Sequence, residues 1–266
     1  MITVRRWDSG ATLLELPLDT LAAAALPRAE LLYADLRAAD LRGADLRGAD
    51  LCQADLRDAV FAGATLTGAD VTLADLTAAD FSRAVLDDAR LQAVNKRRPG
   101  PQRTSFAGAD LTRATLKNSN LSACRFDDAV MHRADLTRVD FTGSDLTGAE
   151  LSYATLAFTN LTSAVLRHAT LTGASLVGAN LAGADLSHAD LSLAALNGVR
   201  LTGADLTDAL LSRTALARCV DLHTARGLDT LRFGEPSGAD PATVRGGALP
   251  AELLAHLGFD ERLTIA

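Results

Sequence analysis

The side chains able to carry chemistry in this 266-residue chain are thinly spread. Its three cysteines, Cys52, Cys124 and Cys219, form no CxxC pair. So sparse and odd a set suits free thiols in a reducing compartment better than a disulfide framework. Serines and threonines are plentiful, but no histidine is partnered with one in a pattern that suggests a nucleophile. His168, His188 and Asp208 recur at intervals of twenty residues and are ligand types for a divalent metal, if the fold brings them together. Two further groups are defined by charge. Lys96, Arg97, Arg98 and Arg103 lie in the stretch QAVNKRRPGPQRTS (92–105), which contains no acid although the chain carries a net charge of -7. Asp35, Asp50, Asp55, Asp70 and Asp75 belong to residues 29–91, where 12 acids face 6 arginines; residues 106–219 are closer to balance, with 11 acids and 9 bases. We assign no catalytic, cofactor-binding or metal-ligating residue, and the expectation is a protein that is not an enzyme and needs no cofactor.

The elements that hold these residues follow from a period of five. From Ala29 the sequence reads AELLY ADLRA ADLRG ADLRG, and the unit continues to Leu91, resumes at Phe106 and runs to about Leu216. Leu fills most of the central positions, with Phe61, Val71, Phe81, Phe106, Phe126, Met131 and Phe141 as the exceptions. Two places before each centre stands a small residue, usually Ala. Five matches neither the helical period of 3.6 nor the strand period of 2. Small and large residues two apart share one face of an extended segment, so they point inward together. The other positions carry Asp, Arg, Thr, Ser and Gly and face water. Twelve of the 20 glycines lie two after a centre, where a type II turn needs a positive φ. No proline falls inside either repeat block, consistent with a backbone ladder that needs every donor.

These residues resemble the A(D/N)LXX signature of the pentapeptide-repeat family over roughly positions 29 to 219. The resemblance implies an all-β fold, a right-handed quadrilateral β-helix with four repeats per coil. The repeats then make about nine coils, a rod on the order of 43 Å long. At twenty residues per coil, Asp35, Asp55 and Asp75 stack in one column, and Glu30, Asp50 and Asp70 in another. The His168, His188 and Asp208 series reads as an exposed corner ladder. Phe61 and Phe81, like Phe106 and Phe126, read as stacked core aromatics.

Residues 1–28 read as an N-terminal cap. Ile2, Val4, the WDSG turn and ATLLELP suggest a β-hairpin, and DTLAAAAL a short helix with Asp19 as its N-cap. Residues 92–105 keep the phase but would bury Lys96 and Pro101, so they read as a projecting loop, with or without one degenerate side still in the wall, and either solvated or touching a partner. Residues 220–266 form a C-terminal segment with a helix from Pro250 to about Leu257. It is either a cap or a homodimer surface built from Leu253, Leu254, Leu257 and Phe259. Acidic balance argues against direct nucleic-acid binding. The start lacks an apolar signal region and no run reaches membrane-spanning length, so the expected location is cytoplasmic. Two functions remain: an adaptor that docks another protein, or, as the resemblance implies, a DNA mimic that binds DNA gyrase or topoisomerase IV and protects against topoisomerase poisons.

Overall fold

The computed structural model describes residues 1–95, 102–244 and 247–259. Its wall is built one repeat at a time. The N–H of each central residue donates to a carbonyl one coil on (Leu46 N to Thr65 O, 2.7 Å), and the residue before a centre donates to the coil behind (Thr65 N to Ala44 O, 2.9 Å). Parallel bridges between positions twenty apart result, from Ala25↔Asp45 to Arg200↔Val220, save Asp80↔Ser105, Val85↔Asp110 and Arg90↔Thr115, which span twenty-five. A third bond closes each corner, from the small residue's N–H to the preceding centre's carbonyl, as in Ala49 N to Leu46 O at 3.0 Å. Every residue two beyond a centre, from Tyr33 to Arg218, has a positive φ. Glycine is enriched there for that reason, yet Leu73 (62°), Tyr153 (59°) and Phe158 (58°) adopt it too, held by the ladder on either side.

Burial follows the inward pair. The central residues and the small residues before them form one continuous core. Phe61, Phe81, Phe106 and Phe126 stack along its axis at 4.5, 5.1 and 4.8 Å between centroids, and Phe141 meets Phe126 edge-on at 5.2 Å. Where a hydroxyl replaces Ala, it donates to a buried carbonyl of the coil behind: Thr104 to Leu76 O (2.7 Å), Ser144 to Leu121 O (2.7 Å), Thr214 to Leu191 O (2.8 Å). That bond satisfies the buried polar group and explains why the substitution is tolerated.

At the N-terminus, β1 (Ile2–Arg6) and β2 (Thr12–Leu16) form an antiparallel hairpin, and β1 pairs also with β3 (Ala34–Asp35) in the first full coil. The helix expected from DTLAAAAL is not formed. Leu21 and Leu26 are buried, Ala24 fills the small inward position, and Ala25 bridges Asp45, so this stretch is already wall. Its Leu–Leu spacing of five and the ladder offered by the next coil win over alanine's helix propensity. Asp19 caps nothing and lies 3.8 Å from the terminal amine.

The interval at 92–105 is also narrower than the broken pattern suggests. Residues 92–95 and 102–105 belong to the wall, with Val94, Asn95, Gln102 and Thr104 buried. The coil is widened by one repeat length, as the bridge Asp80↔Ser105 shows. Asn95 closes it. Its Oδ1 accepts the Leu76 N–H at 2.7 Å and its Nδ2 donates to Asn120 O at 3.2 Å, so a side chain makes bonds that backbone makes elsewhere in the ladder.

Past Cys219 the wall continues at a stretched interval. β4 (Leu210–Leu211) pairs in parallel with β6 (Arg232–Phe233), and β5 (Ala215–Leu216) with β7 (Gly238–Ala239). Two short helices follow, α1 (Pro241–Val244) and α2 (Ala251–His256), with Gly258 at φ 79° ending the second.

Candidate functional site

The acids singled out by sequence lie one residue before a centre, so their side chains leave the wall outward. Bridges stack Asp35 on Asp55 on Asp75, and Glu30 on Asp50 on Asp70. Each of these aspartates has a local role first. Its Oδ1 accepts the backbone N–H two residues on, at 2.9 to 3.4 Å. This Asx turn pins the corner, and Asn160 makes the same bond to Thr162 N at 3.2 Å.

The first column is not a bare line of negative charge. Arg37 sits 2.6 Å from Asp35 with its Nε 3.7 Å from Asp55; Arg57 pairs with Asp55 and reaches to 3.7 Å from Asp75. Acid and base alternate down the ladder. The Arg37 hydrogen bond holds the Asp35 carboxyl below its ordinary range, and Asp55 raises the Arg57 guanidinium. Arg42 and Arg47 do the same for Asp40 and Asp45, each lowered to about 2. In the second column Arg90 pairs with Asp70 at 2.8 Å. The Asp-x-Arg spacing in ADLR carries this signal in the sequence.

Beside the first column runs a groove of about 450 Å³, lined among others by Trp7, Asp55, Arg57, Leu73, Asp75 and Asn95. The hairpin brings Trp7 there. Its Nε1 donates to Gln53 O at 2.8 Å, and its ring meets Tyr33 edge-on at 5.9 Å, while Arg6 lies 4.5 Å above Tyr33. Trp7 nonetheless stays 52% exposed and Leu73 45%. Neither was singled out by chemistry, although an apolar residue in the corner register, as Leu73 is, marks itself in the five-residue frame.

The basic cluster divides. Lys96, Arg97 and Arg98 lie outside the described residues, whereas Arg103 is an exposed corner residue of the wall. Of the two readings of the C-terminal leucines, a cap or a dimer surface, their burial fits the cap. Leu253, Leu254 and Leu257 are buried in the chain's own core, and Phe259 is half-buried against it. Leu253 closes the apolar column ending in Leu216, Leu222 and Leu231, so these side chains are not available as an exposed dimer surface. Their amphipathic spacing reflects a plug. His168 and His188 stack face to face at 4.8 Å, and His188 lies 3.8 Å from Asp208. Parallel rings aim their nitrogen lone pairs side by side, not at one point. Cys124 and Cys219 are buried, and desolvation pushes both thiols up to about 12; Cys52 is half-buried.

A family profile described as pentapeptide repeats matches in eight copies, over residues 21–58, 34–72, 54–92, 104–143, 144–181 and 174–213. The chain belongs to the pentapeptide repeat family. Among solved structures of such proteins it is similar to HetL, involved in heterocyst differentiation regulation in the cyanobacterium Nostoc. The identity is 30%, with 83% of this chain and 91% of HetL covered and a TM-score of 0.50. It is similar also to QnrB1, a plasmid-mediated fluoroquinolone resistance protein, at 18% identity, 81% and 93% coverage and a TM-score of 0.49. A pentapeptide repeat protein of the Arabidopsis thaliana thylakoid lumen is 31% identical over 40% of this chain and 63% of that one, with a TM-score of 0.28. Among curated proteins none matches. No helix among the described residues of this pentapeptide repeat protein is long and apolar enough to cross a membrane.

Proposed function

We propose that this pentapeptide repeat protein is a non-enzymatic scaffold that docks another protein against the side of its rod, in the cytoplasm, where unpaired thiols stay reduced. The groove beside the Asp35–Asp55–Asp75 ladder carries the reading. It sets an exposed Trp and an exposed Leu beside a row of ion-paired Asp and Arg. Aromatic and aliphatic anchors flanked by arginine are the composition of protein interface hot spots. HetL, similar over most of both chains, is described as involved in heterocyst differentiation regulation, which suits a binding role. The full-length protein, used as bait in extract of its own host, is expected to retain a specific partner that Trp7→Ala with Leu73→Ser loses. Absence of every specific partner sinks the reading, and so does a turnover abolished by a point mutation.

A second reading, a DNA mimic that engages gyrase or topoisomerase IV, draws on the excess of acids in residues 29–91. The alternating ladder weighs against it, because duplex DNA presents unpaired phosphates at about one charge per 1.7 Å. Gyrase supercoiling, assayed with a fluoroquinolone present, decides. Inhibition or protection that weakens when Asp35, Asp55 and Asp75 are changed to Lys supports mimicry; no effect at large excess of protein ends it.

A further inference from the structure

One stretch of the rod is almost free of charge. Residues 151–184 hold no Asp, Glu or Lys and a single arginine, Arg167, which is turned to another corner, where it pairs with Asp185. On the face between two neighbouring corner columns, Tyr153 and Phe158 stand on adjacent corners of one coil, 53% and 57% exposed. Leu193, two coils further along the Tyr153 column, is 48% exposed. The floor between the columns is made of the short outward side chains of Thr155, Ser175 and Ala195, which succeed one another in the ladder.

The two rings are seated by the coil beyond. A Cβ on Gly173 would stand 2.7 Å from the Tyr153 ring, and one on Gly178 2.8 Å from the Phe158 ring. Glycine at these corners therefore lets the rings lie against the rod, where they are ordered before anything binds. Pre-ordered, exposed aromatics are what an interface anchor requires, since little side-chain entropy remains to be lost. The margin is basic. Arg133 and Arg138 occupy the same two corner columns one coil back, both exposed, and neither forms an ion pair among the described residues. The Arg138 guanidinium stands 5.6 Å from the Phe158 ring centre. Asp135, which precedes Thr155 in the ladder between these arginines, is itself paired with Lys117 at 2.8 Å. An uncharged floor flanked by exposed apolar side chains, with an excess of positive charge along one edge, fits an occupant of complementary sign.

We propose that this face docks an acidic protein segment, which lays aliphatic or aromatic side chains over Tyr153, Phe158 and Leu193 and sets carboxylates against Arg133 and Arg138. With coils about 4.8 Å apart, the footprint along the rod is roughly 15 Å, the reach of about five extended residues. The proposal rests on the reading of the rod as a protein-binding scaffold and assigns it a second docking face, distinct from the Trp7 groove.

The test is a displayed library of random twelve-residue peptides selected on the full-length protein and counter-selected on Tyr153→Ser with Phe158→Ser. Those two side chains are exposed, so an unchanged melting temperature and circular dichroism spectrum verify the fold. Gly173→Ala with Gly178→Ala serves as a second variant that unseats the rings without removing them. Peptides enriched on the wild type are expected to place Asp or Glu beside apolar residues. They should bind both variants, and Arg133→Glu with Arg138→Glu, at least tenfold more weakly, with affinity falling as salt rises. Peptides that bind wild type and variants alike overturn this face while leaving the scaffold reading intact. A failure to enrich any peptide on any form counts against both. A dimer in sedimentation that Tyr153→Ser with Phe158→Ser dissolves makes a second copy the occupant, and the acidic segment is then wrong.

Discussion

At the scale of single residues, the polar side chains of this protein are committed mostly to the wall. Thr104, Ser144, Thr159 and Thr214 each donate to a buried carbonyl, and Cys219 approaches one at 3.0 Å in the same inward position. Burial leaves the thiols of Cys124 and Cys219 protonated near neutral pH, so neither is a nucleophile in the folded chain. With a thiol reagent at pH 8 we expect only Cys52 to be labelled at an appreciable rate, and the other two only after denaturation; rapid labelling of all three, read by mass spectrometry, contradicts this burial. Asn95 has the largest local consequence. Its amide substitutes for backbone at two ladder positions, and its φ of 53° is one that Asn tolerates better than most residues. Asn95→Ala leaves the Leu76 N–H and the Asn120 carbonyl each short of a bond. The expected loss is about 1–3 kcal/mol, seen as a lower urea midpoint. Conversely, Asn95→Ala with the wild-type midpoint would mean that Asn95 does not close the widened coil.

At the scale of elements, each end of the core is covered by something other than a repeat, and these coverings were the least legible part of the sequence. The hairpin was legible, since Ile2, Val4 and the WDSG turn announce it, and β1 and β2 form there. The stretch after it was misread because alanines satisfy both a helix and the small position of a coil; only the Leu21 to Leu26 spacing decides between them. Helix α2 was legible as an amphipathic turn, but a leucine stripe is the same whether it meets a partner or the end of its own core. Its burial predicts that Leu253→Ala costs about 2–5 kcal/mol, the range for deleting a buried leucine, with no concentration dependence in the melting temperature. A wild-type melting point that rises with protein concentration while Leu253→Ala abolishes the rise would return these leucines to a dimer. Along the wall, the Asx corners of Asp40 and Asp45 combine with Arg42 and Arg47 to depress both carboxyls to about 2. A depressed carboxyl contributes stability above its unfolded value, near 4, and loses it as pH falls through the folded value. Thermal stability is therefore expected to decline between about pH 4 and pH 2. Arg42→Gln with Arg47→Gln should make that decline shallower, while an identical profile in the variant would show that these pairs are not formed in solution.

At the scale of the whole molecule, the five-residue period specifies the rod almost completely, because each repeat supplies its own inward pair, its own corner and its own rungs. Periodicity specifies less about what the rod binds. Outward positions are free to vary, and their meaning appears only once the twenty-residue coil says which of them are neighbours. Tyr153 and Leu193 are forty residues apart in sequence and two coils apart in space. The departure from the coil inside the repeat array, the widened interval between Asp80 and Ser105, offers a test of how modular the rod is. Removing residues 96–100 and changing Pro101 to Leu would restore a repeat of the ordinary length. The sequence would then read Val94, Asn95, Leu at the centre, Gln102 and Arg103, and the new leucine's N–H would be in register for the Asn120 carbonyl. Burying one more leucine is worth about 1.5–3 kcal/mol. A repeat array gains stability by each well-formed unit and its interfaces with its neighbours. We therefore expect the shortened protein to fold with a melting temperature at or above that of the wild type. A fall of several degrees would show that the interval carries structure of its own rather than a removable excursion from the wall. If the shortened rod is as stable and still keeps its partner, the basic residues Lys96, Arg97 and Arg98 have no part in docking; if it is as stable and loses the partner, they are where docking begins.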